Sequence, residues 1–332
     1  MIKVIYFDIN NPISLKEDLS LCLGYFDGVH LGHMKLIEEA KKSPLKKAMV
    51  TFSLSPYDFL HNQNNKVITT VEDKKEILQK NGFDYLIVLI TSKELLSLRK
   101  DEFINQVLRR FNPKKIVCGF DYSFGYKAEG DVSYLKSMLN DIEIITIDEY
   151  LVNDKKASST LIKEYIENGN LDKANQILGR PYKIKGIVKK GNQIGRTLSF
   201  PTVNVKIRND YVVPCFGVYA TKIKVEGKEY IGVTNVGIHP TVDKLNCPII
   251  ETHIISFNQD IYFEEVEVEF YSFIRKERKF ASLEELKNQI ASDKEKIIAY
   301  FQQTLENWWI ILYDNRRDLS LDKRITPSLF QE

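Results

Sequence analysis

The stretch Gly24-Tyr25-Phe26-Asp27-Gly28-Val29-His30-Leu31-Gly32-His33 decides the fold of the first part of the chain. It follows an apolar run at 19–23 and precedes residues 34–40, whose pattern predicts a helix. A strand, a glycine-rich turn and a helix in this order form a phosphate site, because the helix N-terminus offers unpaired N–H groups and a partial positive charge. The two histidines can donate hydrogen bonds to phosphate oxygens. We therefore predict a phosphate-binding turn.

Two alternatives to this interpretation are a buried turn, whose histidines bond to backbone groups, and a metal site. The metal site is the weaker alternative, because no cysteine lies nearby and Asp27 alone does not complete a zinc ligand set.

The composition is that of an ordinary globular protein, long enough at 332 residues for two domains. The net charge of +2 argues against a general nucleic-acid surface, so we expect no nucleic-acid partner. The four cysteines lie far apart without a CxxC pair, which indicates reduced thiols in a cytoplasmic protein. We see no signal-peptide pattern and no apolar run that could span a membrane, so we expect no membrane partner.

The first half alternates predicted strands and helices, which is typical of a parallel sheet covered by helices. The predicted strands are 19–24, 48–52, 85–90, 115–119 and 142–147, and the predicted helices are 33–42, 72–80, 101–111 and 131–139. Ligands of such folds bind at the carboxyl ends of the strands. The stretch 24–33 and the segment 119–125 both lie at such ends.

The second half has a different period. Two short helices are predicted at 159–167 and 171–178, and Gly179-Arg180-Pro181 then breaks the pattern. Five predicted strands follow, at 182–190, 218–225, 230–236, 250–257 and 266–273, and they indicate a small barrel or sandwich. Ser282 and Glu285 form a capping-box pattern that opens a terminal helix, whose apolar stripe runs through Phe301 to Trp308 and Trp309.

Several long motifs in one order, spanning about residues 21–301, resemble those of the bacterial bifunctional riboflavin kinase/FMN adenylyltransferase (FAD synthetase) family. They are GYFDGVHLGH (24–33), GFDYSFG (119–125) followed by GD (130–131), SSTLIKEYIENGN (158–170), LGRPY (178–182), GRTLSFPTVN (195–204), GVYAT (217–221), GVTNVGIHPT (232–241), ETHI (251–254) and RKERKFASLEEL (275–286). The resemblance implies ATP-dependent phosphorylation of riboflavin to FMN, and then adenylylation of FMN to FAD with release of pyrophosphate.

The resemblance also implies the architecture. We expect an α/β N-terminal domain of the nucleotidylyltransferase type, with a Rossmann-like parallel sheet, over residues 1–181. A six-stranded antiparallel β-barrel of the flavokinase type, with a terminal helix, is expected over 182–303. Residues 304–332 are expected to form a helix extension and a polar tail. The partners implied are small molecules, with a monomer or a weak homo-oligomer as the assembly. Trp308 and Trp309 fit either internal packing or an oligomer contact.

For adenylyl transfer, the resemblance implies that His30 and His33 are catalytic and hold the ATP phosphates. Other residues implied to bind this ATP are Gly24, Asp27, Gly28, Ser158, Ser159, Thr160 and Lys163, and those implied in the flavin and nucleotide cleft are Asp121 and Phe124. Plainer interpretations stay open: an N-cap for the serines, an Asx-turn for Asp121 and a core aromatic for Phe124.

For the kinase step, the resemblance implies that Glu251 is the catalytic base, and strand alternation places Ile250 and Thr252 on the opposite face. The ATP-binding residues implied here are Gly191, Gly195, Arg196, Thr202 and Asn204. The oxygens of Thr202 and Asn204 are hard ligands suited to Mg²⁺, and Arg275 is implied on the flavin side. The alternatives are a salt-bridged strand glutamate for Glu251 and a solvated charge for Arg275.

Three positions depart from the family pattern. Lys163 stands where the family usually has arginine and lacks the bidentate fork for phosphate oxygens. The segment 51–56 lacks the usual glutamate and histidine, and Ser199 replaces a glycine. Two alternative functions therefore stay open: a riboflavin kinase with weak or absent adenylyltransferase activity, and a non-catalytic flavin-binding regulator.

Overall fold

A computed structural model describes residues 1–63, 66–190, 200–207, 211–238 and 248–317, with side chains up to residue 303. The first six strands are β1 (Lys3–Phe7), β2 (Leu19–Leu23), β3 (Lys46–Phe52), β4 (Tyr85–Leu89), β5 (Pro113–Gly119) and β6 (Glu143–Ile147). The helices among and after them are α1 (Leu31–Lys41), α2 (Pro56–His61), α3 (Val71–Lys80), α4 (Lys93–Ser97), α5 (Lys100–Gln106) and α6 (Val132–Met138).

These six strands form one parallel sheet in the order β1-β4-β3-β2-β5-β6, which confirms the predicted α/β fold. Strand β2 is fully buried in the middle of the sheet, so the histidine turn that follows it lies at the centre of the sheet's carboxyl edge. The sequence pattern missed β1, because this short edge strand exposes Lys3 and Tyr6 and lacks a continuous apolar run. It also missed the short helices α2 and α4.

A small hairpin and two helices link the sheet to the second half. They are β7 (Leu151–Val152), β8 (Lys155–Lys156), α7 (Ser159–Glu167) and α8 (Leu171–Leu178). The remaining elements are β9 (Tyr182–Lys189), β10 (Thr202–Ile207), β11 (Gly217–Val225), β12 (Lys228–Ile238), β13 (Pro248–Ile254), β14 (Glu265–Lys276) and α9 (Leu283–Arg317).

Strands β9 to β14 close into an antiparallel barrel in the order β10-β13-β12-β11-β14-β9. The closure decides between the barrel and the sandwich that the pattern left open, and it confirms the six strands implied by the resemblance. The pattern did not detect β10, in which only Val205 is buried.

Apolar side chains of α7 and α8, such as Ile166 and Ile177, share one buried cluster with barrel residues such as Ile184 and Phe270. The Asn175 amide reinforces this junction by donating to the Phe270 carbonyl and accepting the Tyr182 N–H. The two linking helices and the barrel therefore share one core.

Helix α9 lies on the outside of the barrel, where Ile297 and Phe301 pack against Val218 and Ala220. The Ser282 hydroxyl accepts the Glu285 N–H at 3.1 Å, as the capping pattern predicts, while the Glu285 carboxylate accepts from Ala281 instead of Ser282. Within the described ranges, no helix is both long and apolar enough to cross a membrane.

Candidate active sites

The histidine turn (residues 24–30) is strained. Phe26, Gly28 and Val29 have φ angles of 55°, 80° and 40°. Glycine accepts such values readily, but a β-branched valine with positive φ is an outlier. Strain of this kind persists only when the surrounding structure enforces it, and it clusters at functional sites.

His30 is the N-cap of α1, and its Nδ1 accepts the His33 N–H at 3.4 Å. Since Nδ1 is an acceptor, the proton of the neutral imidazole is on Nε2. Burial, together with the charge of Arg180, lowers the pKa of His30 to about 4. His30 is therefore a neutral N–H donor at pH 7.

The His33 ring stacks on the His30 ring, with centroids 3.7 Å apart. Burial, and next the neighbouring His30, lower the pKa of His33 well below its ordinary value. Among the described residues, its Nδ1 is buried without a hydrogen-bond partner. Such atoms usually find a partner in water or a ligand. The structure thus brings two neutral imidazoles together at the N-terminus of α1, where an anion is stabilised.

Asp27 is 1% exposed, and its carboxylate fixes the conformation of the histidine turn. Its Oδ1 accepts the N–H groups of Ile68 and Thr69, at 2.8 and 3.2 Å, and the Thr69 hydroxyl accepts the Gly28 N–H. Its Oδ2 lies 3.0 Å from the Lys163 ammonium. Asp27 and Lys163 therefore act on the backbone and on each other, and the carboxylate fixes the shape of the turn.

The three residues 158–160 lie at the start of α7. Ser158 is a plain N-cap, since its hydroxyl accepts the Leu161 N–H, and Thr160 is exposed. The Ser159 hydroxyl donates to the Asp27 carbonyl at 2.8 Å, so the N-terminus of α7 lies against the histidine turn. Two helix N-termini then meet at one edge of the sheet, which strengthens its attraction for an anion.

The second group of candidate residues lies on the outside of the barrel. Glu251 on β13 faces Asn204 on β10 and Asn235 on β12 in the strand register. The Thr202 hydroxyl donates to the Glu251 carboxylate at 2.5 Å. Ile250 and Thr252 are fully buried inside the barrel, as strand alternation predicts.

Thr202, Asn204 and Glu251 bring a hydroxyl, an amide oxygen and a carboxylate to one small patch of the barrel wall. All are hard oxygen donors, so the set fits Mg²⁺. A cavity of about 410 Å³ opens beside Thr202, and its lining residues are Val188, Pro201, Thr202, Val203, Ile254 and Phe257 to Tyr262. The patch and the cavity together form a candidate nucleotide and metal site.

Comparison with known proteins assigns both halves. Residues 13–161 match the family model for FAD synthetase, and residues 178–301 match the model for riboflavin kinase. A bifunctional riboflavin kinase/FMN adenylyltransferase from Bacillus subtilis (strain 168) is 39% identical over 85% of this chain and 92% of its own. The chain belongs to the bifunctional riboflavin kinase/FMN adenylyltransferase family.

Another relative with the same name, from Listeria monocytogenes, is 36% identical over 90% of this chain and 98% of its own. A crystal structure described as a macrolide-efflux protein from Streptococcus pneumoniae superposes with a TM-score of 0.81. It is 32% identical, and the match covers 88% of this chain and 98% of that one. The description of that structure names a different activity. Its fold agrees with the two-domain architecture found here.

The two residues expected in the flavin and nucleotide cleft, Phe124 and Asp121, have different surroundings. Phe124 is 5% exposed and stacks on Tyr122 within the core, which fits its plainer interpretation as a core aromatic. Asp121 is exposed and pairs with Lys156 at 2.7 Å. Asp121 lies two residues after the end of β5, so this pair is at the carboxyl edge of the sheet, as the histidine turn is.

The segment 51–56, which departs from the family pattern, is well anchored. The Ser53 hydroxyl accepts the Thr91 N–H at 3.0 Å, and Ser55 caps α2. Gly24 extends the sheet by donating its N–H to the Val50 carbonyl.

Arg275 does not present a free guanidinium. Its Nε lies 2.9 Å from the carboxylate of Asp293, which is 1% exposed, and Gln289 donates to the same carboxylate. In this structure Arg275 ties α9 to β14, which was not foreseen, because 18 positions separate the two partners. Gly191, Gly195, Arg196 and Ser199, as well as the side chains of Trp308 and Trp309, lie outside the described residues.

Two further residues were missed at the sequence level. Lys74 lies in a charged run but is 3% exposed, and its ammonium donates to the Tyr25 carbonyl and the Thr51 hydroxyl beneath the histidine turn. Burial lowers its pKa to about 8. His253 on β13 pairs with Thr202 on the neighbouring strand β10, and its Nδ1–H donates to the Pro201 carbonyl at 3.0 Å. The ETHI motif contains His253 but gave no signal of this bond.

Proposed function

We propose that this chain makes FAD in two steps. The barrel transfers the γ-phosphoryl group of ATP to riboflavin, which gives FMN and ADP. The N-terminal half then transfers AMP from a second ATP to FMN, which gives FAD and pyrophosphate. One observation carries the proposal: a single chain holds both the paired neutral histidines at the start of α1 and the Thr202–Glu251 pair on the barrel.

In adenylyl transfer, the FMN phosphate is already a nucleophile and attacks the α-phosphorus of ATP in line. The protein positions the two phosphates and stabilises the negative charge that builds on the departing pyrophosphate. His30 Nε2–H and the N–H groups that begin α1 and α7 supply fixed donors for that charge. Because both imidazoles are neutral at pH 7, they donate hydrogen bonds without needing to gain a proton.

In the kinase step, the primary hydroxyl of the ribityl chain attacks the γ-phosphorus, and ADP leaves. Glu251 accepts the proton of that hydroxyl, and the Thr202 hydroxyl that now donates to it keeps the carboxylate oriented. Thr202 and Asn204 would hold Mg²⁺, which neutralises charge on the ATP phosphates when bound. The cavity beside Thr202 has room for the nucleoside part of ATP.

The finer assignments belong to the same proposal. We assign the adenylyltransferase domain to 1–181, the kinase barrel to 182–303 and the extension to 304–332. The protein works in the cytoplasm as a monomer or weak homo-oligomer, on small molecules and not on nucleic acid. The presence of both family domains favours this two-step enzyme over a kinase alone and over a non-catalytic flavin-binding regulator.

Chromatography of the products formed from riboflavin, ATP and Mg²⁺ tests the proposal. We expect FMN to appear first and FAD to follow, and FMN supplied with ATP to yield FAD directly. FMN without FAD would leave a kinase alone. Flavin binding without either product would leave a regulator.

A further inference from the structure

Arg180 lies in the Gly179-Arg180-Pro181 break and belongs by sequence to the segment that matches the riboflavin kinase model, 178–301. Its guanidinium lies on the histidine turn. One terminal nitrogen donates to the Val29 carbonyl at 2.9 Å and to Leu178, and the other donates to the Gly28 carbonyl. A residue at the junction of the two halves thus binds the backbone of the histidine turn.

The two carbonyls that Arg180 holds belong to the strained part of the turn. Gly28 and Val29 both have positive φ and immediately precede His30. The planar guanidinium has donors in a fixed fork, so it holds the two neighbouring carbonyls in one rigid geometry, whereas the donors of an ammonium rotate on a flexible stem. Held in this way, the backbone keeps a conformation that valine would otherwise leave.

The end of α8 is packed tightly enough to transmit this constraint. Gly179 has a φ of 72°, and a Cβ there would lie 2.5 Å from the side chain of Leu31, the first residue of α1. Arg180, which follows Gly179 at the end of α8, therefore lies close to the start of α1.

We propose that Arg180 is a positioning residue for adenylyl transfer, which holds the Gly28 and Val29 carbonyls so that His30 and His33 meet the ATP phosphates. This inference rests on the proposed function of the histidine turn. Arg180 acts through the backbone, and the chemistry stays with the groups that touch ATP.

The charge of Arg180 adds a second effect. Burial is the main cause of the lowered pKa of both histidines, and the charge of Arg180 lowers each pKa further. Lys156 acts in the same direction on His30, whereas Asp27 raises the pKa of His30. His30 and Lys74 act in the same direction as Arg180 on His33. Burial lowers the pKa of Arg180 itself to about 10, so the guanidinium stays charged at neutral pH. Arg180 thereby helps to keep both imidazoles neutral, and its loss shifts their protonation toward higher pH.

The test compares Arg180→Met and Arg180→Lys with the unmodified full-length chain, and it measures both activities on each sample. We expect Arg180→Met to lower kcat for FMN-to-FAD conversion by about 30-fold or more, since small misplacements of positioned groups cost up to about 100-fold in rate. Arg180→Lys retains the charge but loses the fork, so its loss is smaller. Riboflavin phosphorylation stays within about twofold in both variants. In Arg180→Met, the acidic limb of FAD formation moves to higher pH.

A matched control is Lys183→Met, which removes the ion pairs of Lys183 with Glu76, Glu267 and Asp73 near the same junction without touching the turn. We expect FAD formation there to stay within about twofold. Three results would overturn the proposal: unchanged FAD formation in Arg180→Met, an equal loss in Lys183→Met, or an equal loss of both activities in both Arg180 variants. If the unmodified chain makes no FAD from FMN, the proposed function fails instead.

Discussion

The Lys163 ammonium lies 3.0 Å from Asp27 Oδ2 and donates to the Lys66 carbonyl at 2.6 Å. Lys163 stands where the family usually has arginine, so its position bears on how well the adenylyltransferase site works. The lysine keeps a positive charge beneath the histidine turn and balances a buried carboxylate. What it lacks is the planar fork that could also bind a phosphate.

Removing the charge of Lys163 should destabilise the fold. In Lys163→Met the Asp27 carboxylate stays buried without its counter-charge, which costs about 3 kcal/mol. Urea unfolding measures the change, and Lys163→Arg, which keeps the ion pair, is the control. Adding Asp27→Asn to Lys163→Met should recover part of the lost stability. Additive losses in the double variant would show that the two residues do not interact.

The hydrogen-bond donor of His30, its Nε2–H group, should be separable from the role of His30 as the N-cap of α1. Asn caps helices as well as any residue, so His30→Asn keeps α1 intact while it removes the Nε2–H group. We expect FMN-to-FAD conversion to fall by about 100-fold, as when a single oxyanion donor is lost, and riboflavin phosphorylation to be unchanged. Product chromatography measures both rates. Normal FAD formation in this variant would refute the role of His30.

Acid should destabilise the protein through the same residue. His30 has a pKa of about 4 in the folded state and an ordinary value of 6.5. Between these values the unfolded chain binds a proton that the folded chain does not, so stability rises with pH across this window and falls on acidification. At pH 4.5 the loss from His30 is about 2 to 3 kcal/mol.

Urea unfolding at pH 7 and at pH 4.5 measures that loss. Other groups also titrate in this range, so His30→Asn is the comparison: it should lose less stability on acidification than the unmodified chain by this amount. Equal acid sensitivity of the two proteins would contradict the low pKa of His30.

Glu251 should control one activity only. Glu251→Gln keeps the size of the side chain and a hydrogen bond from Thr202, but it removes the base. We expect FMN formation to fall by about 100-fold or more and FMN adenylylation to be unaffected. Glu229→Gln, on an exposed part of β12, is the matched control and should change neither rate. Equal loss of both activities in Glu251→Gln would contradict two separate sites.

His253 should act by holding the backbone beside Thr202. His253→Ala removes the donor to the Pro201 carbonyl, whereas His253→Asn places an amide N–H near the same position. We expect about a tenfold loss of riboflavin kinase kcat in the alanine variant and recovery to within about threefold in the asparagine variant. FAD formation from FMN reports on folding and should not change. Failure of asparagine to rescue would exclude the positioning role.

Much of the fold follows from patterns along the chain. The alternation of buried strands and helices predicts the parallel sheet, because burial on both faces makes a strand's sequence almost continuously apolar, as in β2, where Ser20 is the one polar residue. Edge strand β1 and barrel strand β10 escaped detection, because neither is a continuous buried run: β1 exposes Lys3 and Tyr6, and only Val205 of β10 is buried. Strand closure into a barrel is likewise a property of the pairing of β9 with β10 and is not visible in either strand.

The sequence by itself determined the histidine turn, since a strand, three glycines and two histidines at helical spacing depend on local geometry. The roles of Glu251 and Thr202 were implied by the resemblance of their motifs to the family, and they stay predictions. Only the tertiary structure decided who pairs with whom: Lys163 with Asp27, Arg275 with Asp293, and Arg180 with the backbone of the turn 151 positions away. Such contacts depend on which separate elements pack against each other. The sequence does not distinguish a charged side chain that faces solvent from one that faces a buried partner.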